Sequence, residues 1–116
     1  MIRKAGEYRK EVRNEMRGGK GSIKVEHYWE PGTEMRSKNR MFAKLTIEPG
    51  CSIGPHPHDS EDEIFVILSG TAEVNDNGEA VKLTAGDSML TGNGDFHAIR
   101  NIGDDTLEVL AVVSNY

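Results

Sequence analysis

Residues 50–70, GCSIGPHPHDSEDEIFVILSG, decide how the rest of the chain is read. His56 and His58 stand two apart, so on an extended strand both imidazoles leave the same face. Asp59-Ser60-Glu61-Asp62 reads as a hairpin loop. Glu63 then opens the apolar run Ile64-Phe65-Val66-Ile67-Leu68, which reads as a strand. A hairpin at that place brings Glu63 beside the two imidazoles. Two imidazoles and a carboxylate converging on one point are the donors of a divalent metal site. Taken alone, HPH reads more readily as a surface turn containing Pro57.

A second stretch, GDSMLTGNGDFHAIRN at 86–101, reads as another strand-turn-strand unit and offers a fourth donor, His97. The two stretches together resemble the cupin superfamily. Its first motif is Gly, five residues, His-x-His, three or four residues, Glu, six residues, Gly. Gly50, His56, His58, Glu63 and Gly70 fill every fixed place. The second motif is Gly, five residues, Pro-x-Gly, two residues, His, three residues, Asn. Gly86, Gly94, His97 and Asn101 match it, and Gly92 stands where the family usually has Pro. That departure loosens a turn and removes no ligand.

The resemblance implies an all-β fold, a double-sheet jelly-roll barrel. It also implies that His56, His58, Glu63 and His97 hold one divalent metal ion. Imidazole and carboxylate suit zinc, nickel, iron and manganese alike, so the metal is not readable from the donors. Four protein ligands leave one or two exchangeable positions, which separates a working site from a closed structural one. Taken singly, Glu63 is also consistent with a solvated strand-start residue and His97 with a hydrogen-bonded core histidine. Asn101 reads as a structural hydrogen-bonding residue.

The rest of the chain is punctuated as a β protein. Residues 41–116 form the expected barrel, and residues 1–40 an N-terminal arm and added strand, the whole being one domain. Ile2, Ala5, Tyr8, Val12 and Met16 fall at helical spacings, so 1–17 reads as a short helix or an irregular arm, ending at Gly18-Gly19. Ser22 to Glu30 alternates as a strand, with Ile23, Val25, His27 and Trp29 on one face. From Met41 the pattern is continuously β, with a strong hairpin turn at Asn77-Gly78. Alternation points Met41, Ala43, Leu45, Ile47, Phe65, Ile67, Ala72, Val74 and Ile99 inward, and Lys44 and Arg100 outward. Ile64, Val66 and Leu68 face away from Glu63, so that strand is apolar on both sides and needs cover on both. The N-terminal strand, from the same or a second subunit, is the expected cover, and a homodimer is expected.

Composition narrows the function. The chain has 116 residues and a formal charge of −5. Residues 1–44 carry twelve Lys/Arg against six Asp/Glu, and residues 45–116 two against thirteen. The basic residues alternate with glutamates and no stacking aromatic array accompanies them. A nucleic-acid partner is therefore not expected, and the basic third is expected to pack on the acidic remainder. No apolar run approaches the ~18 residues of a membrane span, and residues 1–10 lack the apolar middle of a secretory signal. A single cysteine, Cys51, fits a reducing compartment, and the cytoplasm is the expected location.

Two functions remain in competition. One is a metal-dependent enzyme on a small molecule, a dioxygenase, decarboxylase or isomerase of the kinds cupins include. The other is a non-catalytic module that senses or stores a small ligand at its metal. Apart from the metal donors, the only candidate catalytic group on an inward face is His27, as an acid-base residue or extra ligand; a satisfied core histidine is its plainer reading.

Overall fold

A computed structural model describes all 116 residues, and its ten strands are joined by turns. The strands are β1 (Arg9–Asn14), β2 (Ser22–His27), β3 (Asn39–Ile47), β4 (Ser52–Pro57) and β5 (Glu61–Ser69), then β6 (Thr71–Asp76), β7 (Glu79–Thr84), β8 (Ser88–Thr91), β9 (Phe96–Asn101) and β10 (Leu107–Asn115). They form a six-stranded sheet in the order β1-β2-β3-β10-β5-β8 and a four-stranded sheet in the order β4-β9-β6-β7. Non-sequential neighbours, such as β10 between β3 and β5, give the double-sheet jelly roll. At the β6–β7 turn, Asn77 and Gly78 both take positive φ, 50° and 103°, as a two-residue hairpin requires.

The two sheets enclose one cluster of 17 buried apolar side chains, and Ile23 and Val25 of β2 belong to it alongside the barrel residues. All nine residues that alternation pointed inward are buried there. Register aligns them in rows across the larger sheet. Ala43, Ala111, Phe65 and Met89 make one row, and Met41, Val113, Glu63 and Thr91 the next. Glu63 is thus flanked in its row by a valine and a threonine.

The arm differs from its helical reading. Arg9–Asn14 pairs with β2 from Arg9↔His27 to Asn14↔Ser22. The helical content of this segment is one 3-10 turn, Met16–Gly18. An isolated helix of this length is marginal in water, whereas an edge strand gains a ladder of backbone bonds. Its alternating Arg, Lys and Glu also suit an exposed sheet edge.

Those charges are satisfied locally more than by the acidic remainder. Arg9 Nε lies 2.6 Å from Glu30, Arg13 Nε 2.5 Å from Glu11, and Arg3 forms two bonds to Glu34 at 2.7 and 3.0 Å. Arg13 and Glu11 share one face of β1, and Arg3, Glu30 and Glu34 lie in the segments that flank β1 and β2, so short-range geometry outcompetes the charge imbalance between the two halves. Arg40–Glu61 and Lys44–Glu108 are the pairs that cross. Lys44 also lies 3.2 Å from Glu26, which is buried although alternation placed it outward. The outer face of the larger sheet carries exposed Ile64, Leu68 and Leu90 beside half-buried Phe42, Val66, Leu110 and Val112. Tyr28 packs edge-on against Tyr8 and Phe42 at one side of that face. No helix is long and apolar enough to cross a membrane.

Candidate metal centre

Both sheets contribute to the site. His56 lies on β4 directly opposite His97 on β9, and the β4–β9 ladder shifts register between Ile53 and His56. Such an irregularity re-aims a side chain, and here it sets His56 against His97. His58 stands just beyond β4, its N–H bonded to the Asp95 carbonyl and its carbonyl to the Gly94 N–H. These two backbone bonds tie the first-motif turn to the second. Glu63 comes from β5 in the opposite sheet, with Thr91 of β8 as its cross-strand neighbour.

The structure brings His56, His58, Glu63 and His97 into one buried group whose ligand atoms all lie within 4.8 Å of one another. His97 Nε2 is 3.1 Å from His56 Nε2, 3.1 Å from His58 Nε2 and 2.9 Å from Glu63 Oε1. His58 Nε2 is 3.5 Å from the same Glu63 oxygen. The other nitrogen of each ring points away to its own partner. His56 Nδ1 lies 2.8 Å from the Gly54 carbonyl, His58 Nδ1 2.7 Å from Glu61 Oε1, and His97 Nδ1 2.8 Å from Thr91 Oγ1. Phe65 stacks on the His97 ring at 4.7 Å.

This arrangement fits a divalent cation. With each Nδ1 hydrogen donated outward, three bare Nε2 lone pairs and a carboxylate face one another in a dry interior. That is costly unless a positive charge sits between them. Donors roughly 2.1 Å from one ion and at right angles to each other stand about 3 Å apart, the spacing His97 keeps to the other three. Burial would raise the Glu63 pKa, yet the His58 and His97 imidazoles outweigh it and hold it at about 2. Burial lowers His56. It opposes the charge on His58 too, but hydrogen bonds to Glu63 and Glu61 outweigh it and raise that group.

His27 does not join the group. It is buried, but its Nε2 is 2.9 Å from Glu11 Oε2 on β1, so it is a hydrogen-bonded interior histidine. Asn101 is structural: Nδ2 donates to the Ile47 and Asp105 carbonyls and Oδ1 accepts the Gly103 N–H, each at 2.8 Å. Gly92 has its own reason to replace Pro. A Cβ there would overlap the Asp62 carboxylate, which accepts from Tyr116 Oη at 2.8 Å, while Tyr116 Oη accepts the Asn93 N–H at 3.0 Å.

Sequence reading missed Glu61, Thr91 and Arg40. The signal for Glu61 was present. The strand begins at Glu61 rather than Glu63, and the parity that pairs His56 with His58 also pairs Glu61 with Glu63. Arg40 and Thr91 lie far from the first motif in sequence, and only the register brings them in. Neither surface cavity touches the four donors. The larger, about 330 Å³, lies against β4, β6 and β9 and is lined by Lys20, Ser52, Gly54, Glu73 and Arg100 among others.

Comparison with known proteins agrees with this geometry. A family model described as "Cupin domain" matches residues 43–113. The oxalate-binding protein of Thermotoga maritima is 40% identical over 113 residues, 97% of this chain and 93% of that protein. A crystal structure of a predicted oxalate decarboxylase from Thermotoga maritima aligns over 100% of both chains, with a TM-score of 0.94 and 39% identity. A mannose-1-phosphate guanylyltransferase of Klebsiella pneumoniae is 35% identical over 71 residues, 61% of this chain but 15% of that protein.

Proposed function

We propose a function for this chain, which belongs to the cupin domain family: binding of a small chelating carboxylate, oxalate first among candidates, at a divalent metal held by His56, His58, Glu63 and His97. The observation that carries it is the convergence of three imidazole Nε2 atoms and one carboxylate on a single buried point. Bound there, a divalent ion supplies Lewis-acid attraction for carboxylate oxygens. Three neutral imidazoles and one carboxylate leave it a net charge of about +1, which favours an anion. The one or two positions that four protein donors leave suit a small bidentate ligand. All four donors are buried, which limits the site to a small ligand.

The side chains nearest the site hold and orient rather than transfer protons. Each Nδ1 is engaged outward, Phe65 fixes the plane of His97, and Val113 closes the row beside Glu63. The buried histidine outside the group is committed to Glu11. These features favour binding over turnover. The decarboxylase description of the similar Thermotoga maritima structure motivates a second reading, cleavage of oxalate at the same metal.

Calorimetry of oxalate against metal-loaded and metal-stripped protein tests the first reading. Binding that needs both the metal and His97 is expected; equal affinity after stripping would overturn it. Formate release from oxalate across zinc, nickel, iron and manganese forms would move the assignment to the enzyme. The exposed apolar outer face of the larger sheet further supports a homodimer, and the unpaired Cys51 a reducing cytoplasm.

A further inference from the structure

The three imidazoles of the centre are held by three chemically different partners. His56 leans on a backbone carbonyl and His97 on a hydroxyl, both neutral. His58 alone leans on a carboxylate, Glu61, at 2.7 Å. That carboxylate is gripped by Arg40, with Nε 2.5 Å from Oε2 and Nη2 2.6 Å from Oε1. Arg40 reaches it from β3 across the end of β10, where Ser114 pairs with Asn39 on one side and Asp62 on the other. Glu61 is nearly buried, whereas the Arg40 side chain is 45% exposed, so the chain runs from solvent through a fork to the ring.

We infer that Glu61 is a positioning residue for the metal centre: clamped by Arg40, it fixes the Nδ1–H tautomer of His58 and strengthens Nε2 as a donor. This rests on the metal reading above. The geometry excludes Glu61 as a fifth donor, because it meets the ring edge opposite Nε2 and both its oxygens are taken by Arg40. Glu61 and Glu63 therefore divide the work of one strand face, one oriented to Nδ1 of His58 and the other to the Nε2 side. A carboxylate partner raises the basicity of a ligating imidazole, where a carbonyl or hydroxyl does so less. Arg40 holds Glu61 in place and occupies the oxygens that would otherwise rotate toward the ion.

The test uses cobalt(II) as the probe, with affinity measured by chelator competition on wild type, E61Q, E61A and R40Q. E61A is expected to bind cobalt roughly 10–100-fold more weakly, as for other outer-shell partners of metal-bound histidines. E61Q, nearly isosteric and still able to accept the Nδ1 hydrogen, should fall between E61A and wild type, with shifted cobalt d–d bands. R40Q should also weaken binding. Long-range 1H–15N correlation on metal-free protein, at a pH where imidazoles are neutral, supplies an independent readout. Wild type should show His58 protonated at Nδ1 alone, and E61A a mixture of tautomers. Affinities of E61Q and E61A within about twofold of a wild type that binds cobalt would overturn the role of Glu61 and leave the metal reading standing. A wild type that fails to bind cobalt would overturn the metal reading instead. In that case an unchanged His58 tautomer in E61A would overturn the positioning role separately.

Discussion

Replacing Asn101 by alanine should destabilise the protein without emptying its metal site. The Asn101 side chain is buried and makes three hydrogen bonds, each 2.8 Å, to Ile47, Gly103 and Asp105. Alanine leaves the Gly103 N–H without its acceptor and both carbonyls without this donor, the Ile47 carbonyl among them in the buried core. At about 1 kcal/mol per bond the loss comes to roughly 3 kcal/mol. For a domain of this size that corresponds to a fall in Tm of about 12 °C. The assay is thermal unfolding with chelator present, alongside metal stoichiometry on the folded protein. Aspartate should be worse than alanine, since it sets a carboxylate against two carbonyl oxygens. A loss below about 1 kcal/mol, or folded N101A that no longer holds metal, would refute the reasoning.

Three further outcomes are expected. The Arg13 bond, helped by His27 and Arg9 and opposed by burial, holds Glu11 at about 2 against an ordinary 4.5. A depressed carboxylate stabilises the fold above its unfolded pKa and loses that contribution as pH falls through the folded value. The stability difference between wild type and E11Q should thus be steady above pH 5 and shrink between about 4.5 and 2; a difference that grows in that window would contradict it. G92A should cost no more than about 1.5 kcal/mol, because the obstructing Asp62 carboxylate can swing away, and adding D62A should remove most of that cost in a double-mutant cycle. Light scattering at micromolar concentration should give a dimeric mass that I64E/L90E reduces to the monomer. A monomeric wild type would end the homodimer reading.

Much of this architecture was legible because a strand has a two-residue period. That period placed His56 beside His58 and sorted nine core residues from their outward neighbours. The two motifs then carried the resemblance from those donors to the jelly roll and the fourth ligand. Legibility failed where neighbours in space are distant in sequence. Arg40, Thr91 and the Tyr116–Asp62 contact owe their positions to register and to the chain crossing between sheets. The helical alternative for the arm failed for a different reason. Helical spacing from Ile2 to Met16 was a property of five residues, whereas β2 offered this segment a complete ladder of backbone partners. Glu26 is buried on the outward face that alternation gave it, because Lys10 and Lys44 on the two neighbouring strands close over it.

The donors straddle the seam of the sandwich, and this would give a bound ion a mechanical role. His56 and His97 stand 41 positions apart on one sheet, and Glu63 belongs to the other. An ion held by all four residues would act as a rivet between the two leaves. Amide exchange along β4 and β9 should therefore slow on metal loading together with that along β5 and β8, although backbone hydrogen bonds do not join those two pairs of strands. The same rivet cannot be set until both leaves have docked in register, so the rate of metal capture during refolding would clock the final closure of the sandwich.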